Sequence, residues 1–155
     1  MPIDEIAATI AHGPAVKQFS VMLQNRAGAL AVLLKLLRNS HIEVIGLSVQ
    51  DARDATIARI VVSDPEQTQH LFLEKGIPHT SCELLVVELK DSSTNLLQCL
   101  DHLMAAETNV DFCYPLLPCH RGTSMLALHV EDLEFAYSIL HSAGFVMIWQ
   151  TDLSR

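Results

Sequence analysis

Basic residues are scarce in this 155-residue chain and never clustered: ten Lys and Arg stand against eighteen Asp and Glu, for a formal charge of −8. Nucleic-acid binding needs phosphate neutralisation, and an anionic membrane surface asks for the same charge, so neither partner is expected. Aromatics are only 5% of residues, and none interleaves with a basic patch. Long apolar runs are missing too. Charges break the longest strings within about ten residues, short of a transmembrane helix. The start, Met1-Pro2-Ile3-Asp4-Glu5, is acidic where a secretory signal would be basic. A soluble cytoplasmic protein is expected. Its four cysteines, Cys82, Cys99, Cys113 and Cys119, form no C-x-x-C pair and read as reduced thiols packed as small hydrophobes.

Half of the residues are hydrophobic, a globular composition. Residues 1–15 stand apart as an arm or short helix, with Ile3, Ile6, Ala7 and Ile10 at helical spacing and Gly13-Pro14 as the stop. From Val16 the pattern sharpens. Alternation predicts strands at 16–23, 42–49 and 56–62, and helical spacing predicts a helix from Gly28 to Asn39. Asp64-Pro65-Glu66 opens a second helix that ends near Gly76, with Asp64 as its cap. Ile77–Cys82 closes the unit as a strand. The order is βαββαβ.

The order then repeats. A shift of 66 lays Asn25 on Asp91, Leu30 on Leu96 and Val44 on Val110; past the hairpin a shift of 68 lays Asp64 on Asp132 and Gly76 on Gly144. The second copy predicts strands at 84–90, 109–116, 123–130 and 145–151, with helices at 94–106 and 132–142. The chain thus divides into an N-terminal arm (1–15), a first domain (16–82) and a second domain (83–155) with no linker between them. Each βαββαβ unit has one economical solution in the α+β class: a four-stranded antiparallel sheet, order 4-1-3-2, with both helices on one face. The other face is apolar as well. Met22, Ile45 and Leu47 lie opposite Val21 and Val44, and Leu85, Val87 and Leu89 share a strand with Leu84 and Val86. That face needs a cover, which is the other copy, a second subunit, or both.

Asn25-Arg26-Ala27-Gly28-Ala29-Leu30 joins the first strand to the first helix. Such a turn aims backbone N–H groups and the positive end of a helix dipole at whatever lies in front, which favours a small anionic group. Together with His41-Ile42-Glu43-Val44, this stretch resembles the ACT domain family, whose pattern is Asp/Asn-Arg-Pro-Gly-Ala/Gly-Leu followed by Gly-Ile-Asn-Ile. The second copy carries Asp91-Ser92-Ser93-Thr94-Asn95-Leu96 and Glu107-Thr108-Asn109-Val110 at matching offsets. The resemblance covers residues 16–152. It implies two ferredoxin-like domains without an attached enzyme, and an amino acid held between paired domains.

Carried over, the family's turn contacts fall on Asn25, Arg26, Gly28, Ala29 and Leu30, and its strand Asn falls on Asn109. Ala27 replaces the family's Pro. Thr94 stands where the second copy should have glycine, and Glu43 where the first should have Asn; a carboxylate there repels a ligand carboxylate. Each copy therefore keeps half of the recognition set. A single hybrid site is expected, pairing the first turn with Asn109 within the chain or across a homodimer, while Thr94 with Glu43 stays empty.

Other chemistry is sparse. Cys113, Cys119 and His120 are metal-ligand types, but they straddle a variable hairpin, and no metal is expected. No serine sits in a nucleophile elbow and no Gly-rich loop cradles phosphate. Asp64-Pro65-Glu66 and Glu131-Asp132-Leu133-Glu134 suit helix starts. His129 alternates on a strand as a surface or interface group, and Trp149 reads as a core or interface anchor. The expectation is a regulatory protein, neither an enzyme nor a cofactor carrier, that senses an amino acid. The alternative is a ligand-free oligomerisation module acting on a separate enzyme or regulator.

Overall fold

The computed structural model describes residues 13–24, 26–118 and 123–154, with Ser92 by its backbone alone. The arm expected at 1–15 lies outside them except for residues 13–15, which form no regular element. The elements are β1 (Val16–Leu23), α1 (Ala29–Asn39), β2 (Val44–Asp51), β3 (Thr56–Val62), α2 (Pro65–Lys75), β4 (His79–Leu89), α3 (Ser92–Ala105), β5 (Val110–Pro115), β6 (Ser124–Val130), α4 (Leu133–Ser142), β7 (Met147–Ile148) and α5 (Gln150–Leu153). Capping sets the helix starts as the sequence implies. Asp64 accepts the Gln67 N–H at 3.0 Å, and Asp132 accepts the Phe135 N–H at 3.1 Å.

The strands run β2-β3-β1-β4-β6-β5, with β7 also paired to β4. The expected 4-1-3-2 order is present in both repeats, because β4 serves both. Its first half pairs with β1, from His79 to Leu84; its second half pairs with β6, from Leu85 to Leu89, and with β7. One unbroken strand thus crosses the 82/83 position.

Each sheet has a helix-covered face. In the first repeat Phe19, Val21, Ile60 and Val62 pack with Leu33 and Leu37 of α1 and Phe72 of α2. In the second, Leu85, Val87, Leu126 and Leu128 pack with Cys99 and Leu103 of α3 and Tyr137 and Leu140 of α4. The remaining faces cover each other. Val16, Ile45, Val61 and Leu84 of one sheet meet Val86, Tyr114, Leu116, Met125 and Ala127 of the other in a single buried cluster. The other copy, within the same chain, is therefore a cover for the bare face.

Three details differ from expectation. A bulge between Val44 and Gly46 shifts the alternation, so Leu47 joins Val44 on the helix side. Met22 lies beyond the covered area and is 57% exposed. The last strand shrinks to two residues because the chain turns into α5. There the Trp149 N–H donates to Asp152 Oδ2 at 2.8 Å, and the Gln150 side chain bonds the Lys17 N–H at 3.1 Å and the Val62 carbonyl at 3.1 Å. Trp149 packs 5.5 Å from the Tyr137 ring, as an anchor should.

The sandwich also closes at its far edge. The Leu117 N–H donates to the Ile45 carbonyl at 2.7 Å, joining the end of β5 to β2. Leu116 fits there because Gly46 has no side chain: a Cβ would sit 2.5 Å from Leu116 Cδ2 and 3.2 Å from Val61 Cβ. Polar groups buried between the sheets are paired. Tyr114 donates to Gln18 Oε1 at 2.7 Å, and Gln18 Nε2 reaches Ser20 Oγ at 3.1 Å. At the rim, Arg59 lies 4.1 Å over the Phe112 ring, which stacks 4.9 Å from His129. His129 bonds Asp111 at 2.8 Å within the β5–β6 hairpin.

No described helix is long and apolar enough to cross a membrane. Two measurements test the packing. Gly46→Val is expected to lower the unfolding free energy by about 1–3 kcal/mol in urea titrations, since overpacking has no room to relax. Burial, with Cys113 as a lesser influence, raises the Cys99 thiol from its ordinary value near 9 to about 11. The thiol stays neutral in the fold but ionises earlier in the unfolded chain. Stability is thus complete below about pH 9 and falls as pH rises toward about 11. Cys99→Ala flattens that decline.

Candidate functional site

After β1 the chain reverses through a turn closed by its own backbone. The Arg26 N–H donates to the Gln24 carbonyl at 2.8 Å, and the Ala29 N–H to the Arg26 carbonyl at 3.4 Å. Gly28 sits at the helix cap with φ 85°, a left-handed conformation that a side chain disfavours. A Cβ there would touch nothing within 4 Å, so the demand for glycine is conformational. Gly28 has no side chain with which to cap α1, and no acid stands in the helix's first turn to neutralise the positive end of its dipole.

This end opens on a cleft of about 220 Å³, lined by Arg26, Ala29, Met22, Val32, Leu36 and Ile77 among others. Among the described residues it holds one cation and no carboxylate. Of the expected site residues, Arg26 and Ala29 face the cleft, Gly28 makes the turn, and Leu30 packs into the core behind it. Asn25 lies outside the described residues.

The second copy treats the same stretch differently. Its helix begins at Ser92, the equivalent of Arg26, so residues that form a loop in the first copy are wound into α3. Asn95 Oδ1 accepts the Asp91 N–H at 2.7 Å, while α3, like α1, has no side-chain bond from its cap residue and no acid in its first turn. Thr94 is an ordinary helical residue, and no left-handed position remains for a glycine to serve.

Asn109 lies at the start of β5, in a cleft of about 500 Å³ with Glu107, Glu131, Asp132 and Glu134. These are four carboxylates in one cleft. Within one chain the first turn and Asn109 therefore line separate clefts and do not meet. Glu43 occupies a third, apolar cleft beside Leu34 and Arg38. Among the described residues no three His, Cys, Asp or Glu side chains are placed to hold a metal; Cys119 and His120 are outside that set.

Sequence reasoning missed two features. One is the Tyr114–Gln18 bond across the sheets, invisible before the sheets are paired; burial pushes the Tyr114 phenol well above its ordinary range, with a further push from Cys82. The other is a polar cleft at the junction of the repeats, containing Lys17 and His41. Its signal was present in the repeat alignment, which sets Lys17 on Glu83 and His41 on Glu107.

The turn's asymmetry is testable by stability alone. Gly28→Ala is expected to cost about 1 kcal/mol or slightly more through left-handed strain. Thr94→Gly, inside a helix, is expected to lose a few tenths of a kcal/mol. Thermal unfolding of both variants checks this. A gain from Thr94→Gly would show that the second turn also wants glycine.

Comparison with known proteins bears on the family and the fold. The family model described as an ACT domain pair matches residues 14–154. No curated protein matches the chain. Among solved structures, protein BT0572 from Bacteroides thetaiotaomicron superposes with a TM-score of 0.81 at 18% identity, covering 91% of this chain and 96% of that one. The regulatory subunit of aspartate kinase from Thermus thermophilus, in its ligand-free form, gives 0.61 at 10% identity, covering 84% and 91%. The aspartokinase alpha and beta subunits give 0.57 at 16% identity, covering 83% and 91%. At these identities the structural likeness speaks for the fold.

Proposed function

Because this chain belongs to the ACT domain pair family, we propose that its ligand-binding regulatory role is to sense a small carboxylate, an amino acid first of all, at the first-repeat turn. The observation that carries this reading is the asymmetry of the two turns. One keeps a left-handed glycine before a helix start that opens on a cleft; its twin is wound into a helix from the position equivalent to Arg26 and has no left-handed residue.

The facing half of the site comes from a second chain. In a homodimer, Asn109 of the partner subunit would approach the turn. Two features support this arrangement. Met22 and Val32, beside the turn, are 57% and 63% exposed, which is apolar surface suited to an interface. The turn's cleft carries the cation Arg26, whereas the Asn109 cleft carries four carboxylates, so the two are electrostatically complementary. A zwitterion between them would set its carboxylate on the helix start and its ammonium toward the acidic side. The ligand shifts an equilibrium between domain or subunit arrangements only through its differential affinity for them. No catalytic role is assigned, and the working compartment in this reading is the cytoplasm.

Calorimetry against a panel of amino acids tests the proposal. Wild-type chain is expected to bind at least one. Gly28→Val and Asn109→Ala are each expected to weaken that binding at least tenfold while the chain stays folded. Unchanged binding in both variants would sink the site. A chain that dimerises but is stabilised by no amino acid would instead be a ligand-free interaction module, because only a bound ligand raises the melting temperature by mass action.

A further inference from the structure

A second cleft, larger than the one at the turn, lies elsewhere in the fold. It encloses about 770 Å³ where the two repeats meet, between the start of β1, the corner after α1, the start of α2, and α5. Lys17, His41, Ser63, Glu66 and Gln67 line it from the first repeat, and Gln150 from the second. Its floor is fixed. Gln150 bonds the backbone of Lys17 and Val62 through its side chain, and its own N–H bonds the Pro14 carbonyl at 3.1 Å.

The repeat supplies an internal control. The equivalent cleft in the second copy is the acidic one around Asn109. Asp64 and Glu66 have acidic counterparts there, Asp132 and Glu134. The other three positions change character. Lys17 corresponds to Glu83, His41 to Glu107 and Ser63 to Glu131. All three changes replace an acid with a base or a neutral hydroxyl; His41 and Ser63 and their counterparts line the two clefts, whereas Glu83 lies outside the acidic one and stands opposite Lys17 in the β1–β4 register.

The backbone adds a second observation. His41 and Glu107 are the two non-glycine residues with positive φ among those described, at 59° and 55°. Glycine would occupy either position with less strain. The chain instead keeps a side chain at each, and each side chain lines its cleft. Strain retained at a cleft wall points to use of the side chain.

We infer that the junction cleft is a second ligand site, distinct from the turn, for a small polar zwitterion whose carboxylate meets Lys17 and His41 and whose amine meets Glu66. Lys17 Nζ rests on Gln69 Oε1 at 3.3 Å and lies 5.6 Å from the centre of the Phe19 ring, with Glu83 as its register partner on β4. Asp64 is engaged with the Gln67 N–H, which leaves Glu66 as the acceptor. Polar lining from Ser63, Gln67 and Gln150 suits a ligand with further hydrogen-bonding groups, unlike the apolar cleft at the turn. A ligand here touches both repeats at once and would bias how they pack.

Amide NMR of the full chain, titrated with L-glutamine, L-serine and acetate, tests the inference. L-glutamine or L-serine is expected to shift the Lys17, His41 and Gln67 amides saturably, with acetate at least tenfold weaker. His41→Gly is expected to raise the melting temperature yet weaken this binding at least tenfold, a split that a merely structural residue would not give. Lys17→Glu, which copies the twin, is expected to abolish it. Shifts confined to residues 26–30, or undiminished binding in His41→Gly, would overturn the inference. Acetate binding as tightly as the amino acids would overturn the ligand class. Gly28→Val separates the two sites, since it affects shifts at 26–30 and leaves those at Lys17 in place.

Discussion

Two sheet faces that no helix covers can leave water only by packing on something else. In this chain they pack on each other, and most of the molecule's remaining architecture depends on that contact. A strand shared between the repeats turns the second sheet over the first. Ile45, Val61 and Leu84 then meet Val86, Leu116 and Met125, and each fully buried large side chain contributes about 1.5–3 kcal/mol. Gly46 leaves the space that Leu116 fills, and the Tyr114–Gln18 bond satisfies the polar groups trapped between the sheets. Such a seam is specific: a register slip would break the bond and put apolar groups in water.

Burying these faces within one chain has a functional consequence. The sheet faces are used up, so any further association must employ helices, edges or turns. The exposed apolar groups lie in such places: Met22 and Val32 by the first turn, Leu97 and Met104 on α3, Phe135 at the start of α4. The repeats have also diverged around a common frame. The first keeps an open, glycine-dependent helix start and a mixed-charge junction cleft. The second winds its helix from the position of Arg26 and fills the matching cleft with carboxylates. The two repeats are thus unlike halves built on one frame.

Much of the fold was legible because the periodic signal was strong. Offsets of 66 and 68 placed both sets of elements, and the economy of a βαββαβ unit supplied the strand order. What escaped depended on local or distant geometry. Leu47 changed sides because a bulge inserts one residue, which alternation cannot register. The last strand broke off because Gln150 is drawn inward to bond Lys17 and Val62, partners more than eighty residues away. The second turn was read as an impaired glycine turn, but there is no turn to impair, since α3 starts earlier. The candidate site was half legible. Its residues follow from the turn chemistry and the family pattern, whereas their separation within one chain follows from how the sheets face each other.

The central claim is that the first-repeat turn meets Asn109 of the partner subunit. It is tested most directly by cross-linking a chain carrying Ala27→Cys and Asn109→Cys, in a mixture of isotope-labelled and unlabelled protein with the amino acid found to bind. The expected product is a link between positions 27 and 109 that joins labelled to unlabelled peptide. A link confined to single chains, or none between these positions while the protein is dimeric and liganded, would contradict the claim.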